Sequence, residues 1–199
     1  MTKSKIIAAI DIGSSKVTSL LAQAVVEQAT LETVINIMGV STVPSKGIKK
    51  GQIVDIEEAV EATIISVEGA ERMAGYNIDK AFVSVGGGHI QSQNSKGVVA
   101  VSDPNGEVSG EDVGRVIESA RAVSLPASRE IIHVIPREYI VDGEAGVRDP
   151  VGMTGVRLEV ETHLVTASSP ALKNLTKTIK EVGVDIEEIK IPQKTNIVF

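Results

Sequence analysis

The stretch "IIAAIDIGSSKVTSLLAQAVVE", residues 6–27, decides how the chain begins to fold. An apolar run ends in Asp11, turns through Gly13, Ser14, Ser15 and Lys16, and becomes apolar again. The run over 6–11 has the unbroken apolar character of a central strand covered on both faces. Residues 17–27 give a second strand, and 31–43 a third that ends at Pro44. Short turn-like connections make these three strands antiparallel neighbours.

Downstream, "DIEEAVEATIISVEGAERMAGY" places Ile56, Val60, Ile64, Val67, Ala70 and Ala74 at helical spacing. Asp55 is the expected N-cap, with Glu58 completing a capping box, and Gly75 suits the C′ position. "KAFVSV" returns as a strand, giving β-β-β-α-β. Composition then changes at "GGGHIQSQNSKG", which sets a boundary near residues 85–88. A short strand (97–101) and a helix capped by Ser109 follow, Asp112 three residues on, with a stripe of Val113, Val116, Ile117 and Ala120. Strands at 130–141 and 156–166 complete a small α+β module. In the last of them Val156, Leu158, Val160 and Leu164 alternate with Arg157, Glu159, Glu161 and His163, so one face is buried. A third helix has Ser169 as cap, Pro170 at N1, Lys177 and Lys180 in its late turns, and Gly183 as its stop. "DIEEIKI" then returns as a strand to the first sheet.

The bulk composition fits this α/β reading. Of 199 residues, 42% are hydrophobic and 23% charged, but only 2% are aromatic, so Val, Ile, Leu and Ala must build the core. A net charge of −6 without a basic face argues against a nucleic-acid partner. With no cysteine, disulfides and thiol-ligated metals are excluded. The first apolar run is too short for a signal peptide, and no stretch approaches the roughly 18 apolar residues that cross a membrane. The expectation is a cytoplasmic protein with no direct membrane insertion.

The turn after Asp11 has two readings. It is either a plain hairpin turn with a capping Asp or half of a phosphate site. In the second, Asp11 at a strand end holds a metal through water. Gly13 lets backbone N–H groups face a phosphate, Ser14 and Ser15 add hydroxyl donors, and Lys16 adds a point charge.

"AIDIGSSKV" resembles the first phosphate motif of the actin, Hsp70 and sugar-kinase superfamily. "IMGVSTVPSKGIKKGQIVDIEEAVEAT", "VSVGGGHIQSQNSKGVVAV", "VSGEDVGRVIESA", "REIIHVIPREYIVDG" and "RDPVGMTGVRLEVETHLVTA" are similar, in family order, to the bacterial cell-division family FtsA. The resemblance runs from about Ile6 to Ile189, and the "HVIPREYIVD…DPVGMTGVRLE" block is its most specific part. It implies an α/β fold: a ribonuclease-H-like, actin-type subdomain 1A (1–84 with 168–199) and an inserted small α+β subdomain 1C, SHS2-like (85–167). It implies ATP and Mg²⁺ for the full-length family, with Asp11 near the metal and Gly13, Ser14, Ser15 and Lys16 on the phosphates. Ser14 stands where many relatives have Thr, which keeps the hydroxyl. The family's second phosphate motif, its adenosine-binding glycines, its FtsZ-binding subdomain 2B and its membrane-anchoring helix find no match, and "PQKTNIVF" departs from the family. The chain therefore resembles a truncated or split amino-terminal half whose second lobe is absent, for which weak or no ATP binding and no hydrolysis alone are expected.

Other candidates read blandly. Residues 86–89, "GGGH", lack the Lys and helix of a phosphate loop and are expected to be the hinge into the module. His89, His133 and His163 lack metal-ligand spacing. Glu159 and Glu161 are expected on a solvated strand face, and Lys46, Lys49 and Lys50 on a solvated loop. Three functions compete. The first is a division scaffold associated with the FtsZ ring, self-associating and binding divisome proteins through 85–167, at the inner face of the membrane when part of a complete assembly. The second is half of a split actin-like ATPase completed by another chain. The third is a pilus-assembly actin homologue of the PilM type.

Overall fold

A computed structural model describes residues 4–26 and 33–191. The strand ends expected at Glu27 and Leu31, and the tail from Pro192, lie outside the described residues. The chain divides into two compact units, Met1–His89 with Ser169–Phe199, and Ile90–Ser168.

In the first unit, β1 (Ser4–Ile12), β2 (Lys16–Val26) and β3 (Thr33–Pro44) form an antiparallel meander. A two-residue-loop hairpin, β4 (Ile48–Lys49) and β5 (Gln52–Ile53), precedes α1 (Ile56–Ala74). β6 (Lys80–Ser84) pairs parallel with β1, and β11 (Asp185–Lys190) pairs parallel with β6 after α3 (Ser169–Val182). The sheet order is β11-β6-β1-β2-β3. Its core is aliphatic, with Ile10, Val17, Leu21, Val83 and Ile179 essentially inaccessible. Asp55 caps α1 by accepting the Glu58 amide at 3.1 Å, and Gly75 ends it in the left-handed region (φ 72°).

The buried face of α1 is rotated from the large-residue stripe that periodicity picks out. Ala59, Ala62, Thr63, Ser66, Val67 and Ala70 are buried, whereas Ile56, Val60 and Ile64 are half-buried flanks. Small residues in the centre let the helix sit close on β2 and β3. A Cβ on Gly39 would lie 2.3 Å from Ala70 O, and one on Gly69 would lie 2.4 Å from Ser41 Oγ. At this distance the buried Ser66 hydroxyl reaches Ser19 Oγ (2.9 Å) and Ser41 O (3.1 Å), so its polarity is satisfied.

The second unit is an antiparallel sheet, β7-β10-β8-β9, formed by β7 (Gln91–Ala100), β8 (Arg129–Val141), β9 (Glu144–Val147) and β10 (Arg157–Ser168). α2 (Gly110–Arg121) covers one face. Val108, Val116, Ala120, Val141, Leu158 and Val160 form the core between them. β7 is longer than the expected 97–101 and takes in the polar run "QSQNSK". It is an edge strand whose outward positions meet water, so polar side chains cost it little and its backbone still pairs with β10. Pro136 sits within β8 at a register shift against β10, where no ladder N–H is needed. The reciprocal capping box expected at Ser109 and Asp112 is present.

Candidate functional site

The first unit builds a cleft at the carboxyl end of β1. Parallel pairing puts Asp11 opposite Ser84, so β1 and β6 end together. Ser84 Oγ donates to Asp11 Oδ1 and holds that carboxylate in place. Beyond Ile12 the chain turns tightly, and Gly13 N–H donates to Lys16 O at 3.0 Å. The Gly13 amide therefore closes the turn. What Gly13 gives the cleft is room, since a Cβ there would meet Lys16 O at 3.0 Å and approach Asp11 Oδ2 at 3.8 Å.

Asp11, Ile12, Gly13 and Ser14 line one side of an opening of about 510 Å³. Ser14 Oγ accepts the Gly51 amide at 2.7 Å, which leaves the hydroxyl's own hydrogen to donate. Ser15 and Lys16 are exposed and lie outside this lining; the Ser15 carbonyl accepts the Ser45 amide at 3.1 Å. The structure thus gathers three of the five sequence-expected residues and leaves the Lys16 side chain in solvent at the start of β2.

The other side of the opening consists of Lys50, Gly51, Gly86, Gly87 and Gly88. From sequence alone Lys50 is expected on a solvated loop and the glycines at 86–88 in a hinge, with no role for Gly51. Ser84, which positions Asp11, was likewise not singled out. The available signal was the pair of unusual turn sequences, "KKGQ" and "GGGH", whose glycines sit at positive φ at Gly51 (75°) and Gly87 (112°).

No group of three His, Cys, Asp or Glu side chains among the described residues can hold a metal alone. Mg²⁺ fits here in a different way, because it usually binds through one or two carboxylates plus the oxygens of its phosphate partner. A single carboxylate beside a hydroxyl suits that requirement.

Elsewhere the suspected pairs are structural. Glu159 bonds Arg157 at 3.0 Å and Glu161 bonds Lys96. The Lys96 contact holds the Glu161 carboxyl below its ordinary value, which does not suit a general acid. His163 Nδ1 lies 2.9 Å from Asn94 Oδ1. Among the described residues no helix is long and apolar enough to cross a membrane.

Residues 87–166 match the family described as "SHS2 domain inserted in FTSA". The cell-division protein FtsA of Pseudomonas aeruginosa is 39% identical over 189 residues, covering 95% of this chain and 44% of its own length. FtsA of Bacillus subtilis is 43% identical, covering 95% of this chain and 42% of its own length. The chain thus spans less than half the length of these relatives. Among solved structures, a PilM–PilN type IV pilus biogenesis complex superposes with a TM-score of 0.61 at 9% identity, over 93% of this chain and 47% of that one, a likeness of fold alone. Nearly the whole chain is thus similar to part of the FtsA cell-division proteins, and residues 87–166 match the SHS2 domain inserted in them.

Proposed function

We propose that the first unit supplies the phosphate-binding wall of an actin-type nucleotide site, and that the second is an interaction module serving cell division. The observation that carries the first half is the convergence of Asp11, Gly13 and Ser14 on one opening, with the Asp11 carboxylate fixed by Ser84. Mg²⁺-bound nucleotide, when present, supplies the phosphate charge and the metal. Asp11 holds the metal through water, and the Ser14 hydroxyl donates to phosphate. Ser15 and Lys16 join from the rim, where their exposure leaves them free to reorient. The domain division implied by the resemblance, 1–84 with 168–199 and 85–167, forms part of this reading.

Few charge-assisted hydrogen bonds, each worth about 1.5–3 kcal/mol, are on offer from Asp11, Ser14 and Lys16, so a weak affinity is expected. Millimolar Mg-ATP added to the whole chain is expected to move the amide resonances of Asp11, Gly13 and Ser14. Asp11→Asn is expected to lower the affinity about tenfold. Unmoved signals at about 10 mM nucleotide, an affinity under ~3 kcal/mol, would end this reading.

The second unit is read as a surface for a second copy and for other division proteins. Support comes from the match to an FtsA-inserted domain and from the sheet face opposite α2, which presents Lys96, Val98 (46% exposed), Glu159 and Glu161. FtsZ, which the resemblance names as a family partner, has no proposed contact on this chain, and the setting is the cytoplasmic side of the division site. Sedimentation velocity checks self-association. The chain is expected to grow heavier with concentration and Val98→Glu to abolish this; concentration-independent sedimentation of the parent chain contradicts it.

A further inference from the structure

We propose that Asn105, in the loop between β7 and α2, is a site of covalent modification. Its side-chain amide condenses with the Gly106 main-chain nitrogen and reopens as aspartate or isoaspartate, and the isoaspartyl form unseats the start of α2.

The chain has one Asn-Gly junction, Asn105-Gly106, and one Asp-Gly junction, Asp142-Gly143. At such a junction the residue that follows has no Cβ, so its nitrogen can approach the side-chain carbonyl carbon closely. The two junctions are held very differently. The Asp142 carboxylate accepts the Val156 amide at 3.1 Å and the Arg157 amide at 2.8 Å, which ties it to the strand start. Asn105 is exposed, and among the described residues no hydrogen bond holds its side chain. It stands third in the turn Asp103-Pro104-Asn105-Gly106, closed by Gly106 N–H donating to Asp103 O at 2.9 Å.

The reaction needs only water. The Gly106 nitrogen loses its proton and bonds to Asn105 Cγ, the Cγ–Nδ2 bond breaks, and ammonia leaves with that proton. Water then opens the cyclic imide. Opening at Cγ leaves an ordinary aspartate. Opening at the main-chain carbonyl leaves an isoaspartate, whose backbone runs through the side chain. No electrons change hands. The turn bond to Asp103 O occupies the attacking N–H, so it has to open first, and the folded chain reacts more slowly than the unfolded one.

Gly106 leads directly into a backbone clasp. Its carbonyl accepts the Gly155 amide at 2.8 Å, Val108 N–H donates to Met153 O at 2.9 Å, and Val108 O accepts the Gly152 amide at 2.9 Å. Val108 is buried and precedes Ser109, the cap of α2. An isoaspartate lengthens the main chain by one carbon just before Gly106 and so pushes this clasp out of register. An ordinary aspartate leaves the backbone alone and only adds a carboxylate between Asp103 and Glu107.

The test holds the whole chain in warm, mildly alkaline buffer and maps its peptides by mass spectrometry over time. The peptide carrying residues 103–107 is expected to gain the mass of an amide-to-acid change and to split into two isomers. The peptide carrying Asp142-Gly143 should stay a single species. Denaturing urea should speed the change at Asn105, and Asn105→Gln, whose longer side chain closes a less favoured ring, should abolish it. The isoaspartyl form, separated by chromatography, is expected to unfold at lower urea than the fresh chain, while Asn105→Asp keeps the parent midpoint. An unchanged mass at residues 103–107, or isomerisation at Asp142-Gly143 as fast as the change at Asn105, would overturn the site. Equal urea midpoints for the isoaspartyl form and Asn105→Asp would overturn its effect on α2.

Discussion

Asp112→Ala is expected to lower the stability of the second unit by about 3–5 kcal/mol, through the orphaning of buried donors. The Asp112 side chain is fully buried at the first turn of α2. Its Oδ2 accepts from Ser109 N (2.9 Å) and Ser109 Oγ (2.7 Å). Its Oδ1 accepts from Ser102 N (3.1 Å), Ser102 Oγ (2.7 Å) and the Arg115 guanidinium. One carboxylate thus ties the loop after β7 to the helix start and supplies the anion that the helix dipole favours there. The Ser109 hydrogen bonds first, then those from Ser102 and Arg115, hold its carboxyl well below the usual carboxylate range.

The pH dependence follows from that direction. A depressed folded-state value means that the ionised form stabilises the fold. The contribution is complete above the unfolded value of about 3.9 and is lost as pH falls below it toward the folded value. Urea unfolding of the parent chain should weaken across that acid window. Asp112→Asn should be weaker at pH 7 and show a shallower acid decline, so the gap between the two narrows as pH drops. A constant gap from pH 7 to pH 3 would show that the carboxylate is not the group responsible.

Gly97→Ala is expected to cost about 3 kcal/mol, at the upper end for overpacking, although it adds a single methyl group. The new Cβ would lie 2.2 Å from Val116 O and 2.6 Å from Ala120 N. Both are backbone atoms of α2 that cannot rotate away, so the helix has to lift from β7 and β10. Gly114→Ala, on the same helix, meets nothing within 4 Å and should stabilise by about 0.5–1 kcal/mol. Chemical denaturation of the two variants reads opposite signs from the same substitution. Equal effects would mean that close approach at Gly97 is not what seats the helix.

The same device seats α1 over Gly39 in the first unit. It escapes a reading by hydrophobic period, because the buried face is made of Ala, Ser and Thr while Val60 and Ile64 flank it. Helix ends were far more legible. Asp55, Gly75, Ser109 with Asp112, and Gly183 act within one turn of where they stand. The hairpin through Gly13 is equally local, its closing bond spanning three residues. Polar residues at 91–96 hid most of β7, since an edge strand draws its stability from the ladder with β10 rather than from its own composition.

By itself the sequence determined the α/β order of the main elements, the caps of α1 and α2, the aliphatic core and the Asp11 turn, because each is encoded by residues within a few positions of one another; the cap expected at Ser169 is not formed, since α3 begins at that residue. Tertiary structure alone decided that Ser84 would hold Asp11, and that Lys50, Gly51 and the glycines at 86–88 would face it across one opening. Those meetings depend on the parallel register of β1 with β6 and on backbone contact between two distant turns. Such contacts are set by how the sheet assembles, and no local pattern records them.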